Sequence, residues 1–192
     1  MGLAPDDAFL KGANLNCDIE AIRASFSPEE IAAFERALPP HVAELFRTRH
    51  PAASWVSVRD MLALYAECFE RLCGRDLGRM RVVGRVSTGR DLKTVHRAFI
   101  KILSPSFVIR RASLVWRSSF KNWGDVCVVA ETPASVRFRF ATMPGATAEL
   151  WQMVAGGNDA ISEAIRVREP KVVISEGGGA GDDFAVIDIT WR

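Results

Sequence analysis

The sequence predicts an α+β fold in which an N-terminal helical layer packs on a four-stranded antiparallel sheet. Apolar residues recur at helical spacing through the first half of the chain, and near Trp123-Gly124 the pattern changes to short, β-branched or alternating runs. Those runs form two pairs, 126–129 with 136–140 and 171–175 with 184–191, each joined by a turn-rich connection. A helical stretch, 146–165, separates the pairs. Helices followed by hairpins imply antiparallel pairing, not a parallel wound sheet.

Taken in order, the first helix start is Ser27-Pro28-Glu29-Glu30, a capping box with Ser as N-cap, Pro in the first turn and Glu at N3. Ile31, Phe34 and Leu38 follow on one face, and Pro39-Pro40 ends the helix. Val42, Leu45 and Phe46 make a short second one. A stronger helix opens at Ser57, where Val58, Met61, Leu62, Tyr65, Cys68, Phe69 and Leu72 form an unbroken stripe that stops at Gly74. A helix over 76–86 carries Gly78 and Gly84. Glycine costs about 1 kcal/mol inside a helix, so both glycines imply close approach of another backbone. Leu92, Val95, His96, Phe99 and Leu103 make a further stripe ended by Ser104-Pro105, and 107–120 continues helical.

In the second half, Val126 to Val129 reads as a buried strand. Val136-Arg137-Phe138-Arg139-Phe140 alternates strictly and reads as a half-buried one. Thr132-Pro133-Ala134 makes the hairpin between them. Leu150, Met153, Val154 and Ile161 mark the 146–165 helix despite Gly156-Gly157. The Gly177–Gly181 run opens onto a strand and lacks a Gly-Lys-Ser/Thr ending, so it is a hairpin tip and not a phosphate cradle. The expected organisation is a helical extension, 1–54, on an α+β portion, 55–192, the whole being one globular unit.

With 192 residues, 48% of them hydrophobic, the chain is long enough to bury a core and fits one domain better than two. No apolar run approaches the roughly 20 residues needed to span a bilayer. Met1 to Asp7 lacks a basic stretch followed by an apolar one. The expected location is the cytoplasm. Cys17, Cys68, Cys73 and Cys127 show no CxxC spacing, which argues against structural zinc. On an α-helix Cys68 and Cys73 would be separated by about 7.5 Å of rise and splayed in direction, too far to bridge. They read as small apolar residues in a reducing compartment.

Net charge is only +2, yet residues 75–121 hold twelve bases against two acids, Asp76 and Asp91, while residues 1–70 hold eleven acids and six bases. The basic middle either meets an anionic partner or pairs with acidic parts of the same chain, and the second reading is favoured. Catalytic apparatus is not visible. There is no Gly-x-Ser-x-Gly elbow and no His-Glu-x-x-His, there are only three histidines, and Glu29-Glu30 and Asp182-Asp183 fall at solvated ends. The chain is therefore expected not to be an enzyme.

Two features are candidates for binding. His96 sits in an apolar stripe, where an imidazole is either an axial haem ligand or a boundary histidine bonded to a backbone carbonyl, the latter favoured. The aromatic set around Tyr65, Phe69, Phe99, Trp116, Phe120, Trp123, Trp151 and Phe184 either lines an apolar cavity or fills a solid core or dimer face.

From Leu72 onward the chain resembles a known superfamily. The segments that carry the resemblance are Gly74-Arg75-Asp76-Leu77-Gly78, Leu103-Ser104-Pro105 leading to Arg110-Arg111 and Trp116, Phe120-Lys121-Asn122-Trp123-Gly124-Asp125-Val126, and Val186-Ile187-Asp188-Ile189-Thr190-Trp191. Trp55-Val56-Ser57 adds a similar start. The superfamily contains 4-vinyl-reductase-type domains, haem nitric-oxide-binding sensors and TRAPP vesicle-tethering subunits. Within it the chain is most similar to a paralogous family abundant in myxobacteria.

The resemblance implies a four-stranded antiparallel sheet against a helical layer, dimer formation, and a cavity between the layers that in relatives holds haem, a small apolar molecule or an acyl chain. The haem sensors carry Tyr-x-Ser-x-Arg for the propionates, and no such run lies near His96 or in Val136–Phe140. The zinc-binding cysteines of some phenol-sensing relatives are absent too.

The expected function is a non-enzymatic ligand-binding or dimerisation module in bacterial signalling or regulation, with no required cofactor. Its ligand-binding residues would be Tyr65, Phe69, His96, Phe99, Trp116, Phe120 and Trp151. The alternatives are a haem-based gas sensor with His96 as axial ligand, or a protein-interaction scaffold using 75–121. Expected partners are a second copy, another protein or a small apolar ligand. Nucleic acid and a membrane span are not expected.

Overall fold

The computed structural model describes residues 3–94 and 105–192. The expected 92–103 stripe, with His96 and Phe99, lies largely outside the described residues. Helices α1 (Gly12–Ser25), α2 (Pro28–Ala37), α3 (Pro40–Arg47), α4 (Val58–Glu67), α5 (Leu77–Thr94), α6 (Pro105–Ser119) and α7 (Ala148–Ala164) make up the helical part. Strands β4 (Asp125–Thr132), β5 (Ser135–Ala141), β6 (Lys171–Gly177) and β7 (Ala185–Thr190) form one antiparallel sheet in the order β4-β5-β7-β6. The fold is thus α+β with the expected four-stranded antiparallel sheet. No helix among the described residues is long and apolar enough to cross a membrane.

Local chemistry accounts for most of these elements. Ser27 accepts from the Glu30 backbone N–H at 3.2 Å while Glu30 Oε2 accepts from the Ser27 N–H at 2.8 Å, so the capping box closes in both directions. Ser57 caps α4 as expected. Strand β5 alternates as its sequence does, with Val136, Phe138 and Phe140 buried.

A second sheet was not expected. Strand β1 (Phe9–Lys11) lies between β2 (Trp55–Ser57) and β3 (Phe120–Lys121), and pairs antiparallel with both. Three strands this short carry too little periodicity to read. They tie the N-terminal segment to both sides of the 55–192 portion, and Leu10 at the centre is buried. Helix α1 was not expected either. It opens without a side-chain cap, and its buried side chains are few: Leu15, Ile19, Ala21 and Ile22.

Three further expectations need correction. The Val126–Val129 run is not a buried strand: Val126 is buried, but Val128 is 39% and Val129 55% exposed. Strand β4 is the sheet edge, and a bulge between Val128 and Ala130 breaks its alternation. The helix expected over 76–86 runs on without interruption to Thr94. Cys68 and Cys73 are not splayed, because α4 passes into a π-helical turn over Cys68–Leu72. The wider turn brings residues five apart into line, with the Cys73 N–H on the Cys68 carbonyl at 3.0 Å. The two buried thiols are hydrogen-bonded to each other, and that contact together with burial raises the pKa of Cys68.

Part of the basic stretch pairs with carboxylates of the same chain. Arg75 pairs with Glu70, Arg85 with Glu163, Arg90 with Glu20 and Arg117 with Asp125. Arg79 lies over the Phe26 ring. Arg81 grips Asp159 with two bonds, 2.7 and 2.9 Å, and donates to the Val172 carbonyl at 2.8 Å, so one guanidinium joins α5, α7 and β6.

Among the described elements, helices α5 and α7 form the most extensive contact. A Cβ on Gly84 would collide with the Met153 backbone, and one on Gly156 with the Arg81 carbonyl. Gly84 therefore meets the expectation of close backbone approach. Gly78 does not: a Cβ there would meet only the Asp76 side chain.

Gly84→Ala and Gly156→Ala should each lower stability by about 1–3 kcal/mol, since neither neighbouring backbone can move aside. Gly89→Ala, on the same helix with open space around it, should be neutral or stabilising by up to about 1 kcal/mol. Urea unfolding of the three variants checks this.

Candidate functional site

Helices α5, α6 and α7, together with α1 and the inner face of the sheet, enclose a cavity of about 270 Å³. Its walls are sorted by element. Helix α6 contributes Val108, Ile109, Ala112 and Trp116, and the sheet contributes Val126, Val136, Phe138, Phe140 and Ile189. Helix α7 contributes Leu150, Met153, Val154 and Ile161 together with the polar Asn158 and Ser162, and Ser119 lies at the end of α6. The more polar part of the lining comes from α1, with Asn14, Cys17 and Asp18, from α4, with Tyr65, and from α5, with Ser87, Thr88 and Asp91.

Trp116 is central to the apolar side. It stacks on Phe120 at 4.4 Å, meets the Phe140 ring edge-on at 5.6 Å, and donates its indole N–H to the Trp123 carbonyl at 3.2 Å. The hydrogen bond satisfies the ring's one polar atom, leaving its carbon faces for the cavity wall.

Asp18 is central to the more polar part. Tyr65 donates its hydroxyl to Asp18 Oδ2 at 2.6 Å, and Ser87 donates to Oδ1 at 2.5 Å. The residue keeps partial exposure through the cavity although protein surrounds its carboxyl. Burial pushes its pKa up to about 6, opposed by the two hydroxyl hydrogen bonds, with Asp91 adding to the rise. The neighbouring Cys17 thiol is pushed up to about 12 by burial and by Asp91 and Asp18, so it stays protonated at neutral pH. Burial and the adjacent carboxylate likewise raise Tyr65 well above the usual phenol value.

Of the residues singled out from sequence, Tyr65, Trp116 and Phe120 line the cavity. Two do not. Trp151 is fully buried beneath the 177–184 hairpin connection, with its indole N–H on the Asp182 carbonyl at 3.3 Å. Phe69 packs against the core away from the cavity. Both were assigned from aromatic character, which does not distinguish core from pocket. His96 and Phe99 lie outside the described residues. The more polar part was missed altogether, though it left one signal: Asp18 falls within the Leu15, Ile19, Ile22 stripe, where a carboxylate is out of place on a core-facing side.

A stability signature follows from Asp18. Its folded pKa, about 6, lies above the 3.8 of an ordinary carboxyl, so the folded state holds the proton more tightly than the unfolded chain. Stability should fall as pH rises from about 4 to about 6, by on the order of 3 kcal/mol. Denaturant titrations across that range should show this slope in the native protein and a flattened one in Asp18→Asn.

No protein-family model and no curated protein matches this chain. Solved structures do. A doubly substituted form of the Tt H-NOX protein superposes with a TM-score of 0.70 at 14% identity over 95% of each chain. An oxygen-binding H-NOX domain related to soluble guanylate cyclases gives 0.69 at 11% identity, again over 95% of each. A mutant H-NOX protein from K. algicida, in its Fe(II) unliganded form, gives 0.67 at 9% identity, over 95% of this chain and 97% of that one. Identities this low carry the architecture alone, and on that ground the chain has the fold of the H-NOX domains.

Proposed function

We propose that this chain is a non-enzymatic ligand-binding module of bacterial signalling or regulation, which takes a small, largely apolar molecule into the cavity between α5, α6, α7 and the sheet. The observation that carries the reading is the cavity itself. Its volume, about 270 Å³, lies just below the roughly 300–1,000 Å³ of small-molecule sites, and its walls combine a broad apolar side with a few convergent polar groups. The similar structures are described as oxygen-binding or haem-containing, which supports a sensor role for a cavity in this position. The apolar Leu114 and Val115 of α6 and Val128 and Val129 of β4 are exposed, and pairing of two copies or docking of a protein partner through them belongs to the same proposal. Native mass measurement tests that part.

Haem is the second reading, favoured by the structural neighbours and by the position of His96 in sequence. The described wall residues do not fit it. Two propionates need cationic partners, and the described lining residues include Asp18 and Asp91 but no Lys, Arg or His. The Cys17 thiol and Tyr65 hydroxyl, candidate axial donors by type, are both held protonated. The haem reading therefore rests on His96, outside the described residues. A Soret band on haem titration that is altered in His96→Ala would support it, and the absence of any band would end it.

Thermal-shift screening with fatty acids, phenols and tetrapyrroles tests the main reading. A ligand at 100 times its Kd should stabilise by about 2.7 kcal/mol, roughly 5–10 °C in Tm for a chain of this size. Ala112→Phe, which puts a ring into the empty space, should fold and lose that shift. No stabilisation by any class would remove the reading.

A further inference from the structure

We infer that the cavity is selective for a hydrophobic amine: an apolar body against α6 and the sheet, with a protonated nitrogen at Asp18. This deepens the apolar-ligand reading above and rests on it. The first argument is the make-up of the lining: α6 and the sheet supply mostly hydrocarbon and aromatic carbon, while α1, α4 and α5 supply the Asp18 carboxyl with the Tyr65 and Ser87 hydroxyls, so one space offers both kinds of contact.

The second argument is charge. Asp18 is held by two neutral donors, Tyr65 and Ser87, and no ion pair joins it to a base among the described residues. The groups facing it are Tyr65 from α4 and Ser87 and Asp91 from α5, with Cys17 beside it on α1. Nearby, Arg90 pairs with Glu20 across the α1–α5 contact. An ionised carboxylate withdrawn from water is unfavourable unless an opposite charge meets it. Tyr65 and Ser87 use one lone pair on each oxygen, so each oxygen can still accept from a ligand. An ammonium group supplies both donors and the missing charge. A fatty acid would instead set its carboxylate against Asp18, where like charges repel. A haem propionate meets the same obstacle.

Matched eight-carbon probes separate these possibilities. Octylamine, 1-octanol and octanoate share one apolar tail and differ only in the head. Calorimetric titration at pH 7.5, where Asp18 is ionised, should show octylamine binding at least about tenfold tighter than octanol, with octanoate the weakest. Asp18→Asn should abolish the amine advantage and leave octanol binding within about twofold. The native protein provides a second route should that variant fail to fold: at pH 5 Asp18 is mostly protonated, and the amine advantage should shrink about tenfold while octanol binding stays constant.

Equal binding of amine and alcohol, an amine advantage that survives Asp18→Asn, or a preference for octanoate would each overturn the inference and leave the apolar cavity standing. Binding by none of the three would remove both.

Discussion

The structure depends on the close approach of α5 to α7. Gly84 against Met153 and Gly156 against Arg81 bring two backbones together where any side chain would hold them apart. The contact is locked by the Arg81 fork on Asp159 and Val172, which fixes both helices against β6. Dispersion contacts between closely packed backbones are individually small but numerous, and the half-buried bidentate pair adds geometric specificity more than energy. With α5 and α7 set in this way, α6 and the inner face of the sheet close round the space beside them.

Within that frame the two parts of the cavity lining obey different physics. On the α6 side, Trp116 satisfies its one polar atom internally and offers carbon to the interior. On the α1 side, a carboxylate is retained in surroundings that raise its pKa, held by hydroxyls and not by a cation. Buried polar groups left in this condition lower stability, and they persist in proteins where something other than stability selects them. Asp18 is the residue at which the interior keeps a carboxyl in place of hydrocarbon, held by the Tyr65 and Ser87 hydroxyls.

The sequence pattern was readable where an element is decided by its own residues. The capping box at Ser27, the Ser57 cap, the alternation of 136–140 and the glycine-rich hairpin tip all formed as their local chemistry requires. The pattern was misread where neighbours decide. Val128 and Val129 have the composition of a buried strand, but β4 is an edge strand and both side chains are exposed. Cys68 and Cys73 looked too far apart because α-helical spacing was assumed, and a π-helical turn changed which residues share a face. Tyr65, Trp116 and Phe120 reached the cavity, while Trp151 and Phe69, equally aromatic, went into the core.

By itself the sequence determined the class of fold, the strands of the larger sheet, most of the helices and the presence of an aromatic-rich interior, because periodicity and capping are properties of short segments. Only the tertiary structure decided that Leu10 would centre a second sheet, that α1 would turn Asp18 toward Tyr65 and Ser87, and that an open cavity would remain beside α5 and α7. The second sheet and the Asp18 contacts join residues 44 to 112 positions apart in the chain, and no local pattern records which distant partner a side chain will meet.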